Sequence, residues 1–600
     1  MALNIQKTMQ EDRLKHFKSF PFMEAAIALV VIVVLAALFI DTRNMPTHGA
    51  PRLAQTGGTN AIEFDGITVN PVIAKDFNLP QVAGVLVNDV PKGSARRLLD
   101  IRRGDVILKY NAVDVQSANH LSHLMSQSKP GDTVTFAISR NGRMLKMSDK
   151  IPVTAGIDLF GTSGRDIMVV LVIVIITFTM LFLNLFNRTV CVTLGAVLML
   201  LAGSAFGFYN QSEAFDSIRM SPIFIFMGMS IFAIFLDDLR VFEYAAKKII
   251  INLKADTAKV IFALCIMTFI ASALVNNMSV VLVIIPITIY AAKGLGFEPI
   301  PVVIAEIISS VIGGNMTPIG DFSNMLMASA AGLTFLDFLI VMGPICFVFL
   351  AGFLWYLWFF ELRHKEKFKS LKLEKAFLLK MEQDVKVMKM DWPRIKRVLY
   401  ILGCVLVAFM ILPSFKVHLA PIAMGGGFLL LAIENQKAKD VIKRLSLTDI
   451  LFFIALFLIV GGALYAGLLK VVSNALITMA MGNKILYPIY LMITAAILTA
   501  LLNSGPASAF LVPIVLSSGF ADFTDVVWWA MNLGSIAGAC ACISGASAGI
   551  VSQTLVEEMG NDLKHKEGLT FASYARIGLP VAGLILLVST IYIVFLSIIP

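Results

Sequence analysis

Apolar runs alternate with short polar stretches along almost the whole chain. Ala25 to Ile40, Met168 to Leu183 and Leu579 to Ile599 are apolar enough to cross roughly 30 Å of hydrocarbon as helices. Between about Asp41 and Arg165 the pattern changes. GVLVNDV (84–90) and DVILKYNAVDV (105–115) alternate apolar and polar residues, SANHLSHLMSQ (117–127) reads as a helix, and TVTFAIS and RMLKM flank Asn141-Gly142, a hairpin turn signal. The expectation is a small α/β domain of 45–155 set between a first span at 22–40 and a mainly α, polytopic membrane body.

Arg13, Lys15 and Lys18 precede the first span, so the positive-inside bias holds residues 1–21 in the cytoplasm and sends the small domain outside. No small-x-small cleavage site follows Ile40, which predicts an uncleaved anchor. Spans at 166–186, 189–209 and 222–240 then return the chain to a basic stretch with Arg240, Lys247, Lys248 and Lys254, read as a cytoplasmic loop. The apolar run 258–292 is interrupted by Asn276-Asn277-Met278-Ser279, which predicts a re-entrant hairpin, and 300–331 reads as a broken span. After a span at 335–360, the linker 361–397 carries twelve Lys/Arg against six Asp/Glu and is expected in the cytoplasm, with a surface helix.

From 398 to 600 the layout of 166–360 recurs from the opposite side of the membrane. Asn276 and Asn503 each precede a proline by ten residues (Pro286, Pro513). GGNMTPIG (313–320) and GACACISG (538–545) follow, then Gly-Leu-Thr-Phe at both 332–335 and 568–571. An extra loop around Val556 to His565 separates the last two landmarks in the second copy. Polar breaks repeated at matching depth predict an inverted-repeat transporter with two re-entrant hairpins, two broken helices and about eleven transmembrane helices.

Composition narrows the functional classes. With 58% hydrophobic and 15% charged residues the bilayer is the main solvent. The net charge of +9 is carried in short loops beside apolar spans, so it reports topology rather than nucleic acid. All six cysteines lie in apolar segments, where packing is the usual use of a thiol, and Cys540-x-Cys542 lacks the further ligands of a metal site. No cofactor is expected beyond Na⁺ or H⁺ as a coupling ion, and no nucleotide-binding loop drives the body.

Interrupted helices leave orphan N–H and C=O groups that a bound ion or polar substrate can satisfy. The tips Asn276 to Ser279 and Asn503 to Ser508 offer amide, hydroxyl and carbonyl oxygens, with Asn277, Ser279, Ser504 and Ser508 the side chains of interest. Ser544 and Ser547 stand at the second broken helix, and Gly313, Gly314, Thr317 and Gly320 permit close backbone approach in the first. Asp321 is either a cation or proton carrier or the N-cap of the following half-helix, and the two roles are compatible. Glu306, farther up the same span, is a second proton carrier candidate. Asp237 and Asp238 read as a solvated helix end.

Over Phe64 to Ile151, including GSARRLLDIRRGDVI (93–107), the sequence resembles the PDZ domains of bacterial HtrA-type proteases. That resemblance implies a peptide groove at Phe64, Gly66, Ile67 and Val69, walled by Leu121 and Leu124, that receives a protein C-terminus. A folded spacer with an empty groove is the alternative. From 166 to 600, through SALVNNMSVVLVIIPI, AEIISSVIGGNMTPIGDFSN and AGLTFLDFLIVMGP, the chain resembles the NhaD-type sodium/proton antiporters, arsenite permeases and melanosomal P protein of the ion transporter superfamily. The resemblance implies alternating access, a homodimer, and ligands at Asn276, Asn277, Ser279, Thr317, Gly320, Asp321, Ser323 and Asn324. The sequence departs from it at the tips, where Asn276-Asn277 and Asn503-Ser504 replace Asp-Asn, and at Cys540, Cys542 and Gly549. The expected function is secondary active transport of a small ion, coupled to H⁺ or Na⁺, in a bacterial inner membrane. The alternatives are an anion, arsenite or dicarboxylate permease, and a degenerate transporter that serves as a scaffold for PDZ-mediated recruitment.

Overall fold

The computed structural model describes residues 65–68, 85–89, 105–111, 113–115, 121, 133–140, 143–150, 164–182, 186–253, 256–362, 374–434, 438–481, 483–518, 525–559 and 568–598. The expected first span at 22–40, the groove residues Phe64, Val69 and Leu124, and most of the insertion after Met559 lie outside them.

The strand-rich region is one antiparallel sheet of β1 (Asp65–Thr68), β2 (Val85–Asp89), β3 (Val106–Tyr110), β4 (Val113–Asp114), β5 (Thr133–Arg140) and β6 (Arg143–Lys150). Its order is β1-β2-β3-β5-β6, with β4 paired to β3. The alternation read from sequence buries Val85, Val87, Val106, Tyr110, Phe136 and Ile138 on one core, where Tyr110 meets Phe136 edge-on at 5.0 Å. β5 and β6 pair without slippage up to Arg140↔Arg143, as the Asn141-Gly142 signal requires. Asp105, 1% exposed, is bonded by Arg140 through Nε at 2.7 Å and a second nitrogen at 2.8 Å. Leu121, the described residue of the expected 117–127 helix, is helical and buried.

The rest of the described chain is helical. Among the described residues nine helices are long and apolar enough to span a membrane, and six shorter apolar helices accompany them. The shorter ones include both second-copy hairpin arms, Leu486–Leu502 and Ser504–Ser517, and the half-helices Pro299–Gly314 and Val526–Ala541. A helix of sixteen residues rises about 24 Å, short of the full hydrocarbon layer, so these segments enter it without crossing alone.

Two expectations are revised. The basic stretch read as a loop is a helix, Val241–Asn252, which starts after a left-handed Arg240 (φ 53°), buries Ala246 and Ile250, and pairs Lys247 with its own Glu243 at 2.8 Å. The second copy opens with Trp392–Ile411 rather than at Val398, because Asp391 caps it by accepting from Arg394 N. Asp237 and Asp238 stand exposed at the end of Met220–Asp238, as expected, where Arg444 bonds both, reaching Asp237 at 3.0 Å. The linker does carry a helix, Glu374–Val387.

From Met220 to Gly314 the first copy corresponds to the second at an interval of 227 positions, as from 276 to 503. Met220–Asp238 matches Leu447–Tyr465, Val241–Asn252 begins where Leu468–Met479 begins, and Pro299–Gly314 matches Val526–Ala541. Even the left-handed residue before the short helix recurs, as Arg240 and Gly467. Phe226 and its equivalent Phe453 touch each other, ring centres 5.6 Å apart. Equivalent residues meet only where a two-fold relation between copies passes, as in an inverted-repeat transporter.

Candidate functional site

Each hairpin turns on an asparagine. Thr257–Leu274 ends at an extended Val275, and the Asn276 side chain then accepts from Met278 N at 2.9 Å, starting Asn277–Leu295. At the second tip Asn503 accepts from Gly505 N at 3.4 Å to start Ser504–Ser517. These are N-caps at positions where a lipid-facing helix would have neither a break nor a polar residue.

The broken helices pack against these tips. Pro299–Gly314 stops at Asn315, and the chain restarts as Phe322–Ala331 with Asp321 as its N-cap, accepting from Ser323 N. In the second copy Val526–Ala541 gives way to a turn at Ile543–Gly545 and restarts as Ser547–Met559. Glycines set the spacing at the first break. A Cβ on Gly314 would fall 1.9 Å from Asn277 Oδ1, and one on Gly320 2.4 Å from Gly314 O and 2.5 Å from Ser272 O. Asn277 N donates to Gly320 O at 3.2 Å, which joins the first tip to the first break.

Asp321 stands where both hairpin tips and the first break converge. Asn277 Nδ2 reaches its Oδ2 at 3.5 Å, and Ser504 Oγ from the other repeat donates to the carboxylate at 3.1 Å. The hydrogen-bond partners of this carboxylate among the described residues are neutral: Asn277, Ser504, the backbone and side chain of Ser323, and the backbone of Phe322. Asp321 is also the N-cap of Phe322–Ala331 and lies beside the starts of Asn277–Leu295 and Ser504–Ser517. Phe322 covers it toward Leu447–Tyr465 by stacking on Phe453, centres 3.3 Å apart and planes 9° from parallel.

A second polar chain runs alongside. Asn324 Nδ2 donates to Thr317 O at 2.8 Å and Gly314 O at 3.2 Å, and Asn532 from the second copy donates to Asn324 Oδ1 at 3.2 Å. Thr317 Oγ1 donates to Ala273 O at 2.7 Å, and its equivalent Ser544 donates to Ala500 O at 3.1 Å. Asn503 is netted by Ser544 O at 3.2 Å and by Ser547 Oγ at 3.3 Å. Asn277 Oδ1, Asn315 Oδ1 and Asn532 Oδ1 are buried acceptors with no hydrogen-bond partner. A carboxylate with a spare neutral oxygen such as that of Asn277 on a residue beside it has donors that suit a hard cation.

Of the residues singled out from sequence, Asn276, Asn277, Gly314, Thr317, Gly320, Asp321, Ser323, Asn324, Asn503, Ser504, Ser544 and Ser547 belong to this connected network. Gly313 packs against the first hairpin arm instead, where a Cβ would meet Phe269 O at 2.1 Å. Ser279 and Ser508 make no side-chain hydrogen bond within it, and Ser508 Oγ is buried without a partner. Glu306 lies apart, 1% exposed, accepting from Thr288 Oγ1 at 2.5 Å. Asn532 and Phe453 were not read from sequence. A lone asparagine in the apolar run VVWWAMNLGSIAGACA was the available signal for the first, and nothing local marked the second. Five of the cysteines are buried, whereas Cys404 is exposed on its helix rather than packed. Among the described residues no group of three or more His, Cys, Asp or Glu could hold a metal ion.

Two family models and several known proteins match the sequence. The PDZ domain family matches residues 62–151. Magnetosome protein MamN of Magnetospirillum gryphiswaldense is 29% identical over 439 residues, 72% of this chain and 99% of that protein. The P protein of Mus musculus is 24% identical over 482 residues, 67% of this chain and 57% of that protein. A crystal structure of the YdaH transporter of Alcanivorax borkumensis aligns with a TM-score of 0.44 at 10% identity, covering 63% of this chain and 85% of that one. The citrate transporter family matches over residues 169–534 and again over 415–599; spanning well over half of the sequence and both repeats, that match makes the chain a member of the citrate transporter family.

Proposed function

We propose that the protein is a secondary active transporter of a small cation, coupled to protons or Na⁺, and that Asp321 is the charge on which the cation rests. The observation that carries this reading is a carboxylate between two re-entrant tips whose partners are all neutral. Such a group at membrane depth is costly unless a cation or proton joins it. Purified protein in vesicles, given an imposed pH or Na⁺ gradient and a panel of monovalent and divalent cations, arsenite and dicarboxylates, tests it. Cation flux that disappears in Asp321→Asn supports the reading. Gradient-independent behaviour with an unaffected Asp321→Asn variant would overturn it.

A second reading, a carboxylate permease, is favoured by the second repeat. There two helices start, at Ser504 and Ser547, with no acidic side chain in the first turn of either, and helix N-termini suit anions. The family's citrate label points the same way. Under this reading Asp321 holds a cation that neutralises the site for the anion, so dicarboxylate flux would require Na⁺ or another cation.

The PDZ domain is proposed to take a peptide or protein C-terminus outside the cytoplasm, following the basic residues ahead of the first span. β1, with Gly66 and Ile67, is an edge strand of the described sheet, and an edge strand can accept a further strand. Deleting 45–155 should abolish capture of C-terminal peptides while leaving vesicle flux in place; loss of all measurable flux in the intact protein would instead favour a scaffold.

A further inference from the structure

Glu306 sits on Pro299–Gly314, enclosed by the second arm of the first hairpin, Asn277–Leu295. Thr288 donates to its Oε1 at 2.5 Å, while its Oε2 is buried with no hydrogen-bond partner. Ser309, about one turn along the same helix, is buried beside Cys265. Of the helices packed on this one, Thr257–Leu274 brings the titratable side chain within electrostatic reach, Cys265. No cationic side chain among the described residues pairs with Glu306. An ionised carboxylate there lacks any counter-charge, which is costly in an apolar surrounding.

Packing alone does not require this residue. At the equivalent places in the second repeat, Thr288 becomes Val515 and Glu306 becomes Leu533, both fully buried between Ser504–Ser517 and Val526–Ala541. The same helix pair is thus built with hydrocarbon in one copy and with a hydroxyl and a carboxyl in the other. Nor is Glu306 part of the Asp321 cluster, since the two carboxyls share no hydrogen-bond partner.

We propose that Glu306 is a dedicated proton site, so that the first repeat carries proton and cation on separate carboxyls. Glu306 takes a proton from water on one side of the membrane at Oε2, becoming a neutral acid, and returns it to water on the other; Thr288 donates to Oε1 in both states. This rests on the cation-transport reading above.

The test compares pH-gradient-driven flux with isotope exchange at equal pH, using the full chain in vesicles and the cation that the wild type carries. Glu306→Gln should lower the ratio of driven flux to exchange by roughly tenfold or more. It should also remove a carboxylic-acid band from the infrared difference spectrum between high and low pH. The double change Glu306→Leu with Thr288→Val, which copies the second repeat, should fold and behave alike if Glu306→Gln does not fold. An undiminished ratio in either folded variant, or an unchanged infrared spectrum, overturns the proposal. If the wild type carries no cation, the transport reading fails and this one falls with it. If Asp321→Asn abolishes flux while Glu306→Gln keeps pH coupling, this inference alone is lost.

Discussion

At the first break Thr317 donates to Ala273 O, and at the second Ser544 donates to Ala500 O; both partners lie 227 positions apart. Asn276 and Asn503 likewise cap equivalent nitrogens, Met278 N and Gly505 N. Beyond those bonds the repeats diverge. Among the described residues the first has Asp321 and Glu306 where the second has Ala548 and Leu533, and its tip residue Asn276 is relaxed at φ −53°. Asn503 instead holds φ 79° and ψ 156°, a conformation that costs a non-glycine residue about 1–3 kcal/mol. It is kept there by Ser544 and Ser547. Shared bonds therefore report what any broken helix needs to satisfy its backbone, and unshared side chains report what the site does.

The largest expected effect comes from removing the charge that breaks the equivalence. Asn caps a helix about as well as Asp, so Asp321→Asn leaves the start of Phe322–Ala331 intact and isolates the charge. Loss of one partner from a desolvated pair costs about 3–5 kcal/mol, so apparent cation affinity should fall by roughly two to three orders of magnitude in concentration-dependent uptake. Thermal stability of the purified protein should change little. Uptake that keeps its concentration dependence would mean that the repeats do not differ functionally at this point.

Glycines sharpen the comparison with a smaller effect. A Cβ on Gly314 meets a side chain, Asn277 Oδ1 at 1.9 Å, which must swing away from Asp321. A Cβ on Gly538 meets backbone, Ala496 O at 2.2 Å, which cannot yield without parting two helices. Gly314→Ala should therefore weaken cation uptake by about tenfold, the worth of one displaced ligand, with a modest change in melting temperature. Gly538→Ala should lower stability by about 1–3 kcal/mol, as overpacking does, and reduce flux only in proportion to folded protein. Thermal denaturation measured beside uptake separates the two outcomes, and equal stability losses would refute the distinction.

Much of this arrangement was legible because its signals are local. An asparagine pair inside an apolar run, and Gly, Thr, Pro and Gly within eight residues of another, have no place in a continuous lipid-facing helix, so both hairpins and both breaks could be located. Asp321 followed from the same reasoning, as cap and as charge. What stayed hidden depends on cross-repeat packing: Ser504 reaching Asp321, Asn532 reaching Asn324, and Phe453 stacking on Phe322. Ser508, grouped with the second tip by position, has no hydrogen bond to the cluster, because one helical turn past Ser504 takes its hydroxyl below the convergence. The helix Val241–Asn252 was hidden for another reason: its lysines suggested a loop although its apolar residues recur with helical spacing.

The smallest effect tests the part on which the repeats agree. Thr317→Val and Ser544→Ala each delete one hydroxyl that donates to a hairpin-arm carbonyl, at 2.7 Å and 3.1 Å respectively. If both bonds only satisfy Ala273 O and Ala500 O, each variant should lose about 1 kcal/mol of stability, and flux per folded molecule should fall less than about threefold in either. Thr317 differs from Ser544 in one respect, since its own backbone carbonyl is bonded by Asn324 beside Asp321. A cation resting on Asp321 that also draws on the Thr317 hydroxyl would make Thr317→Val cost far more uptake than stability, while Ser544→Ala would not. Equal and small losses in both variants would place the hydroxyl pair with the shared skeleton, and leave Asp321 and its tip partners as the asymmetric core of the site.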